Sequence, residues 1–247
     1  MLKIQVNLPS PRRRLYLEAI TRLQGVEAVE ENADALVTGS PTDNSLPTLL
    51  DGPHEIRIDQ LRELERTPLM PAHQWRYAPN IIPVQDSRSS GQLGEPGLLR
   101  IHHWLTADTS PFSMAFHQVD LSHWFFSGQP SSHYAHSGSD YLQLHLGYPE
   151  SGMSLIDIAT NRSGSSDYYS MHLIGSHGAA YADDHENSHL LFEREGIRSL
   201  IPPANEVIAI RNMLEEFSNG IIEDRPWDVT LEDTRNALTT ITEGNDA

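Results

Sequence analysis

Between residues 113 and 130 the apolar side chains recur at the spacing of one helix face. This pattern predicts a buried helix that ends at Gly128, with Pro130 just beyond it as a stop. The residues that form the apolar stripe are Met114, Val119, Leu121, Trp124 and Phe125.

The same segment places two polar side chains on one face of the predicted helix. His117 and Asp120 are three residues apart, a spacing that brings side chains together on a helix. A histidine beside a carboxylate is suited to moving a proton near neutral pH. The alternative is a buried pair whose two members satisfy each other's hydrogen bonds, which is a common structural arrangement.

The first part of the chain has the pattern of an α/β unit. Residues 2–8 alternate as a strand does, and Ser10 and Pro11 open a helix that is predicted to reach Gly25. Two further short strands are predicted at 26–30 and 33–38. A short helix at 58–66 and a brief strand at 69–70 follow.

The second part of the chain predicts many strands at short spacing, joined by glycine-containing turns. Such spacing is typical of a mostly antiparallel sheet. Two amphipathic helices close the chain, one over 205–218 with Gly220 as its stop and one over 230–241. The predicted strands are 98–105, 132–138, 141–147, 153–161, 170–174 and 179–182, with a hairpin at 190–193 and 197–200.

Composition and charge narrow the classes of function. The formal net charge of −17 repels phosphate backbones, so nucleic acid and anionic membranes are not expected partners. No apolar run approaches the roughly 18 residues of a membrane span. The chain has no cysteine, which excludes disulfides, thiolate catalysis and cysteine-ligated metals. These features predict a cytoplasmic protein.

The turn after the first strand is unlike a phosphate-binding turn. A nucleotide-binding α/β unit uses glycines there, because backbone amides must approach a pyrophosphate at the helix N-terminus. Here residues 7–11 contain Pro9 and Pro11 and no glycine. Residues Arg12 to Arg14 either supply the positive charge that would bind phosphate in place of backbone amides, or form a solvated helix face.

Thirteen histidines raise the separate hypothesis of a metal-dependent lyase, epimerase or hydrolase. Histidines four residues apart share a metal when they are helical, but side chains on a strand alternate between faces. We therefore predict no metal ligands. The candidate groups are His102 with His103, His133 with His136, and His185 with His189 beside Asp183, Asp184 and Glu186.

Four local motifs, in this order, resemble the glucose–fructose oxidoreductase / inositol dehydrogenase family (Gfo/Idh/MocA). They are W-R-Y-A-P at 75–79, G-Q-L-G-E-P at 91–96, H-Q-V-D-L at 117–121 and I-G-S-H-G at 174–178. The resemblance implies an α/β plus α+β chain. It has a shortened Rossmann-like domain over 1–72 and a C-terminal domain over 73–247 with a large, mostly antiparallel open sheet packed on helices.

The resemblance also implies a site. His117 is the expected catalytic acid/base, and Arg76, His102 and Asp120 are the expected contacts to a sugar-like ligand. The family's open sheet often forms an oligomer interface, so we expect a homo-oligomer or a hetero-oligomer with a full-length oxidoreductase.

The departures from the family concern its chemistry. Beside the missing glycines, the family's catalytic lysine has no counterpart, since Lys3 is the only lysine in the chain. Its acidic ribose contact has no clear counterpart either, and Ser113 stands where a helix aspartate is common.

Two function hypotheses follow from these departures. The first is a degenerate homologue without NAD(P) that acts as an assembly partner or binds a sugar-like ligand. The second is an active dehydrogenase that uses NAD or NADP, with His117 as acid/base and Arg12 to Arg14 receiving phosphates.

Overall fold

The computed structural model describes residues 1–40, 45–149, 152–163, 167–183, 190–193, 196–199 and 205–245. The chain forms two compact units. Unit 1 comprises Met1–Pro79 and Ala204–Leu238, and unit 2 comprises Asn80–Pro203 and Thr239–Ala247.

The strands, in chain order, are β1 Leu2–Asn7, β2 Val26–Val29, β3 Ala35–Thr38, β4 Thr48–Leu50, β5 Leu69–Pro71, β6 Pro96–Trp104, β7 Ser132–Ser137, β8 Tyr141–Gly147, β9 Met153–Ala159, β10 Tyr168–Gly175, β11 Ala179–Asp183, β12 Leu190–Glu193 and β13 Gly196–Ser199. The α-helices are α1 Arg12–Ile20, α2 Ile58–Leu64, α3 Ile82–Ser89, α4 Pro111–Phe126, α5 Asn205–Ile222 and α6 Leu231–Asn245. Short 3-10 helices cover Pro53–Glu55 and Gln74–Tyr77.

Unit 1 is built on a parallel five-stranded sheet in the order β2-β1-β3-β4-β5. Two of its inner strands, β3 and β4, are buried at every position, whereas β1 alternates between buried residues and residues that are exposed or partly exposed. Such continuous burial is typical of parallel strands that are covered on both faces. Helices α1 and α5 pack side by side and add Tyr16, Ile20, Ile210 and Phe217 to the core of this sheet.

The Rossmann-like unit is short because one crossover has no helix. Parallel strands usually need a dozen or more residues to connect, but residues 30–34 alone join β2 to β3. The register explains how this is possible: Val29 pairs with Gln5 on one side of β1, and Ala35 pairs with Ile4 on the other. Strand β3 thus begins level with the end of β2. The prediction of a shortened Rossmann-like domain is confirmed.

Unit 2 contains a six-stranded sheet in the order β11-β10-β6-β9-β8-β7. Its neighbouring strands are antiparallel except for β6 and β9, which are parallel. This confirms the prediction of a mostly antiparallel sheet. Helix α4 packs against β6, β8 and β9, so one sheet face is covered, and we call the opposite face the open face.

The sequence misplaced the end of α5. Gly220 was expected to stop this helix, but α5 continues to Ile222. A Cβ atom at Gly220 would collide with the indole ring of Trp227, which donates a hydrogen bond from Nε1 to the carbonyl of Phe217 at 3.1 Å. Gly220 is therefore a packing residue inside the helix.

The compact units also differ from the division into 1–72 and 73–247. Residues 73–79 and helix α5 belong to unit 1, because α5 packs against α1 and the Gln74–Tyr77 turn. No helix within the described part of the chain is long and apolar enough to cross a membrane.

Candidate functional site

The first candidate site lies at the carboxyl ends of the parallel strands in unit 1, where α/β sheets bind their ligands. The turn from β1 into α1 offers few backbone donors there. Pro9 and Pro11 have no N–H group, and the amides of Arg13 and Arg14 donate to the carbonyls of Pro9 and Pro11 at 2.9 and 3.0 Å. Within residues 9–14, Ser10 and Arg12 are left as amide donors.

The side chain of Arg12 fills the space in front of this turn. It binds Asp51, which follows β4, through two parallel bonds of 2.8 Å from Nε and Nη2. Its Nη1 donates to Glu206 at 2.6 Å, and Nη2 also donates to Gln74 at 2.6 Å. Four of the five N–H donors of a guanidinium group are thus used within unit 1.

Burial and charge reinforce this network. Burial alone lowers the pKa of Arg12, but the bond to Asp51 and the nearby negative charges raise it above the ordinary value of arginine. Burial, followed by the Asp51 charge, raises the pKa of Tyr16, whose hydroxyl donates to Asp51 at 2.8 Å. Burial lowers the pKa of His54. Arg12 therefore stays cationic, and its charge is matched by two carboxylates.

Sequence reasoning missed one acidic residue at this edge. Glu30 directly follows β2, the strand after the first helix, where dinucleotide-binding folds place the carboxylate that binds a ribose. Its side chain is 84% exposed and accepts a bond of 2.6 Å from Nη2 of Arg13. The predicted end of β2 at Glu30 was the available signal, but only the pairing of β2 with β1 places this residue at the edge.

Arg76, an expected substrate contact, makes a buried ion pair. Its side chain is 5% exposed and donates to Asp233, at the start of α6, at 3.0 Å. Thr230 is the N-cap residue of α6, and its amide and hydroxyl also donate to Asp233 in the first turn, which completes a capping box. Burial raises the pKa of Asp233, but the charge of Arg76 and these bonds lower it overall. Arg76 thus fixes the start of a helix.

The second candidate site lies on α4 in unit 2. His117 is partly exposed and stands edge-to-face on the Phe116 ring at a centroid distance of 5.4 Å. Asp120, one turn later, is buried. The helix is buried on most of its circumference, so the predicted single apolar stripe describes only part of what α4 covers.

The sheet of unit 2 separates His102 from α4. His103 faces the helix, because its Nδ1 lies 3.2 Å from Nε2 of Gln118 on α4. His102, the next residue back along β6, therefore lies on the open face, where its Nδ1 is 3.0 Å from Asp157. The structure does not bring His102 together with His117.

His103 is the titratable group that sequence reasoning overlooked beside α4. It is buried and lies edge-to-face against Tyr169, and burial lowers its pKa to about 4. It is therefore neutral at physiological pH. The two histidines at 102 and 103 thus have different environments, because neighbouring strand residues face opposite sides of the sheet and α4 covers one of those sides.

The described residues offer no site for the metal ion of the metal-dependent hypothesis. In that part of the chain, no group of three or more histidine, aspartate or glutamate side chains is arranged to hold a metal ion. The candidates Asp184, His185, Glu186 and His189 lie outside the described residues. His133 and His136 are on β7, and His136 contacts Tyr141.

Comparison with known proteins gives structural matches only. No protein-family model and no curated protein sequence matches the chain. A probable dehydrogenase from Thermotoga maritima has a TM-score of 0.85 at 16% identity, covering 99% of this chain and 96% of its own. Myo-inositol 2-dehydrogenase from Lactobacillus plantarum has a TM-score of 0.82 at 15% identity, with the same coverage. Scyllo-inositol dehydrogenase from Lactobacillus casei, solved with NAD(H) and scyllo-inositol, has a TM-score of 0.78 at 14% identity, again over 99% and 96%.

The residues in front of α1 do not fit the pyrophosphate of such a cofactor. A pyrophosphate needs backbone amides and positive charge at the helix N-terminus. This turn has two prolines, and the guanidinium group of Arg12 is already bound to Asp51 and Glu206. An entering pyrophosphate would meet those two carboxylates at close range. Glu30, in contrast, does fit a ribose contact.

The structural neighbours include myo-inositol and scyllo-inositol dehydrogenases, and their likeness extends over nearly the full chain. Both units contribute to it, the parallel sheet of unit 1 as well as the mixed sheet of unit 2. This chain therefore has the fold of the Gfo/Idh/MocA family of sugar and polyol dehydrogenases.

Proposed function

We propose that this chain is a Gfo/Idh/MocA-type protein that does not bind NAD(P) and acts as an assembly partner or as a binder of a sugar-like ligand. The observation that carries the proposal is the Arg12 network. Arg12 occupies the front of the α1 N-terminus and is held by Asp51, Glu206 and Gln74. In this arrangement the positive charge of Arg12 is neutralised within the protein.

Cofactor entry would have to break this network. A bidentate arginine–carboxylate pair is among the stronger hydrogen-bonded pairs in proteins. Releasing it would leave Asp51 without its main partner, in a position where its side chain is 12% exposed. The phosphates would bring further negative charge to the same place. Cofactor binding would therefore be weakened by the free energy needed to break the ion pair and also by repulsion between the phosphates and the carboxylates.

The proton-transfer machinery is also reduced. The chain's single lysine, Lys3, lies on β1, and its backbone amide donates to Asp34 at 2.9 Å. His117 remains as an acid/base candidate, with Asp120 one turn away. Arg76 and His102, the expected ligand contacts, are engaged by Asp233 and Asp157. A ligand at His117 would need other side chains to orient it.

The proposed assembly uses the open face of unit 2. Seven of the ten exposed large apolar side chains in the described part of the chain lie on this face. Aromatic residues and methionine are enriched in protein interfaces, and charged residues are depleted there. Either a second copy of the chain or a full-length oxidoreductase is the proposed occupant. The seven side chains are Trp104, Tyr134, Tyr141, Met153, Tyr168, Ile174 and Tyr181.

The direct test is a calorimetric titration of the purified protein with NADH and with NADPH. We expect no saturable binding tighter than about a millimolar, the level at which binding free energy is near −4 kcal/mol. Scyllo-inositol dehydrogenase from Lactobacillus casei, which has been solved with NAD(H), serves as the positive control. Saturable binding by the present chain would refute the proposal.

Glu30 favours a second candidate, an active NAD(P)-dependent sugar or polyol dehydrogenase. In that case Glu30 would bind the ribose and His117 would act as acid/base. The assay is reduction of NAD or NADP with myo-inositol or scyllo-inositol as substrate. Turnover that is lost in both Glu30→Ala and His117→Ala, with both variants folded, would establish this candidate in place of the first.

The assembly is tested by light scattering on size-separated protein. We expect a mass above the 27.7 kDa of a single chain, either alone or after mixing with a full-length oxidoreductase. Trp104→Glu places a charge on the central strand of the open face and should leave monomers. Ile58→Glu, an exposed apolar position in unit 1, is the matched control and should leave the mass unchanged. Monomers in the wild type under both conditions would refute the assembly.

A further inference from the structure

Unit 1 contains a cavity at the edge of its sheet opposite to the Arg12 network. It has a volume of about 350 Å³ and lies between the end of α1, the start of β2 and the end of α5. Its polar lining consists of Arg22, Gln24, Arg211, Glu215, Ser218 and Asn219. A volume near the lower end of the usual range for ligand pockets suits a small metabolite.

The charge of the lining is unusual for this protein. Two arginines and one glutamate line the cavity, so its lining is net positive in a chain whose formal net charge is −17. Arg22 lies in the turn after α1 and Arg211 lies on α5, at positions almost 190 residues apart, and they converge only in the folded unit.

Both guanidinium groups keep donors for a ligand. Arg22 donates from Nη2 to Glu18, in the last turn of α1, at 2.7 Å. Arg211 binds Glu215 and Asn212 through one bond each, both at 3.0 Å. A guanidinium group has five N–H donors, so Arg22 retains four and Arg211 three. Exposed ion pairs one helical turn apart are weak, and a bound anion can share or displace them.

Ser218 supplies an independent sign of a ligand. It is 2% exposed and lines the cavity, yet its hydroxyl oxygen has no hydrogen-bond partner among the described residues. A helical serine usually bonds back to a carbonyl of the preceding turn, and a buried hydroxyl without a partner is costly. A ligand oxygen in the cavity would satisfy it.

The helix ends around the cavity do not compete for these donors. The last carbonyls of α1 are already satisfied, since Leu17, Ala19 and Ile20 accept backbone bonds from residues 21 to 23. The carbonyl of Glu18 accepts the hydroxyl of Thr21 at 2.7 Å. The partial negative charge of two helix C-termini favours cations there. Arg22 and Arg211, which both line the cavity, provide positive charge that offsets the helix ends.

From this arrangement we infer that the cavity between α1, β2 and α5 is a binding site for a small oxyanion, a phosphate or carboxylate group on a metabolite of monosaccharide size or smaller. Arg22 and Arg211 hold the anion, which matches the preference of guanidinium groups for carboxylate and phosphate. Ser218, Gln24 and Asn219 bind its neutral oxygens. The site is separate from the carboxyl edge of the sheet and does not depend on the proposed function.

Calorimetric titration with inorganic phosphate, with gluconate and with neutral myo-inositol tests this inference at constant ionic strength. We expect saturable binding of phosphate, gluconate or both, and no binding of myo-inositol in this cavity. Arg22→Gln and Arg211→Gln should each weaken the anion about tenfold, the effect of losing one charge-assisted hydrogen bond. Arg57→Gln, which removes an exposed arginine elsewhere in unit 1, should leave binding unchanged.

Ser218→Ala gives a readout that a purely structural role would not produce. Removing the unpaired hydroxyl should stabilise the ligand-free protein and at the same time reduce the rise in Tm that the anion causes. Three results would overturn the inference: no saturable binding of either anion, binding of myo-inositol that Arg22→Gln and Arg211→Gln weaken to the same extent, or equal weakening of anion binding by Arg57→Gln. Which anion binds decides between a phosphate and a carboxylate ligand.

Discussion

The ion pair between Arg12 and Asp51 should stabilise unit 1 far more than a surface ion pair does. Arg12→Met keeps much of the apolar stem and removes the charge, so the Tyr16 hydroxyl becomes the main side-chain donor to Asp51 within the described part of the chain. The two side chains are 26% and 12% exposed. Removing one partner of a fully buried pair costs about 3–5 kcal/mol, and an exposed pair contributes roughly 0.2–1 kcal/mol.

The exposure of this pair places it between these limits, so we expect Arg12→Met to lower the free energy of unfolding by about 2–3 kcal/mol. Urea unfolding of Arg12→Met, Asp51→Asn and the double variant gives the coupling energy between the two side chains. We expect a coupling of about 2 kcal/mol, because the bond is bidentate and charge-assisted. Fluorescence and circular dichroism should be followed together, since two compact units can unfold separately.

The matched control is the pair Arg57–Asp59, whose side chains are 76% and 64% exposed. Its coupling should be far smaller than that of Arg12 and Asp51, because solvent screens a pair that is exposed on both sides. A coupling below about 0.5 kcal/mol for Arg12 and Asp51 would refute the reasoning. It would mean that the network in front of α1 is loose enough to open for a cofactor, and the proposed function would lose its main support.

Three further predictions concern other parts of the chain. Asp233→Asn should destabilise the protein at neutral pH, because pairing with Arg76 lowers the folded-state pKa of Asp233. The difference in unfolding free energy between variant and wild type should decrease as the pH drops below the unfolded-state pKa of about 3.9. The pKa of His103 is about 4 in the folded state and 6.5 in the unfolded chain. Acidification between these values should therefore lower the free energy of unfolding by about 3 kcal/mol, at about 1.4 kcal/mol per pH unit. His103→Gln should remove that loss. Gly220→Ala should displace Trp227 and cost about 1–3 kcal/mol, seen as a lower Tm and altered tryptophan fluorescence.

Controls separate these effects from general damage. Gly128→Ala adds a methyl group where the nearest atom, a carbonyl oxygen, is 4.0 Å away, so its Tm should match the wild type. For His103, an acid-induced loss that persists in His103→Gln would assign the pH dependence to other groups. For Asp233, a difference from wild type that stays constant down to pH 3 would contradict a role through its charge.

The local patterns of the sequence identified most elements. Alternation over residues 2–8 and 141–147 and the helical stripe after residue 113 predicted β1, β8 and α4 closely, because these patterns record which side of an element is buried. The ordered motifs over residues 75–178 identified the fold. The missing glycines and the single lysine are properties of the sequence itself, so the sequence alone argues against a bound cofactor.

The tertiary structure decided what each functional residue touches. In the sequence, Arg12 is one of three consecutive arginines and nothing distinguishes it from the other two. Its partners in the structure, at positions 51, 74 and 206, lie far away along the chain. Glu30 became a candidate ribose contact only through the parallel pairing of β2 with β1. Contacts between distant residues depend on how elements pack, and a local pattern carries no information on packing partners.

The histidines of β6 mark the limit of sequence reasoning most clearly. Alternation on a strand requires His102 and His103 to face opposite sides, but it does not say which side α4 covers. Packing of α4 made His103 a buried neutral group and left His102 on the open face beside Asp157. The sequence by itself determined the elements and the loss of family residues. The packing of helices on the two sheets determined the sites, because burial and distance exist only in the folded chain.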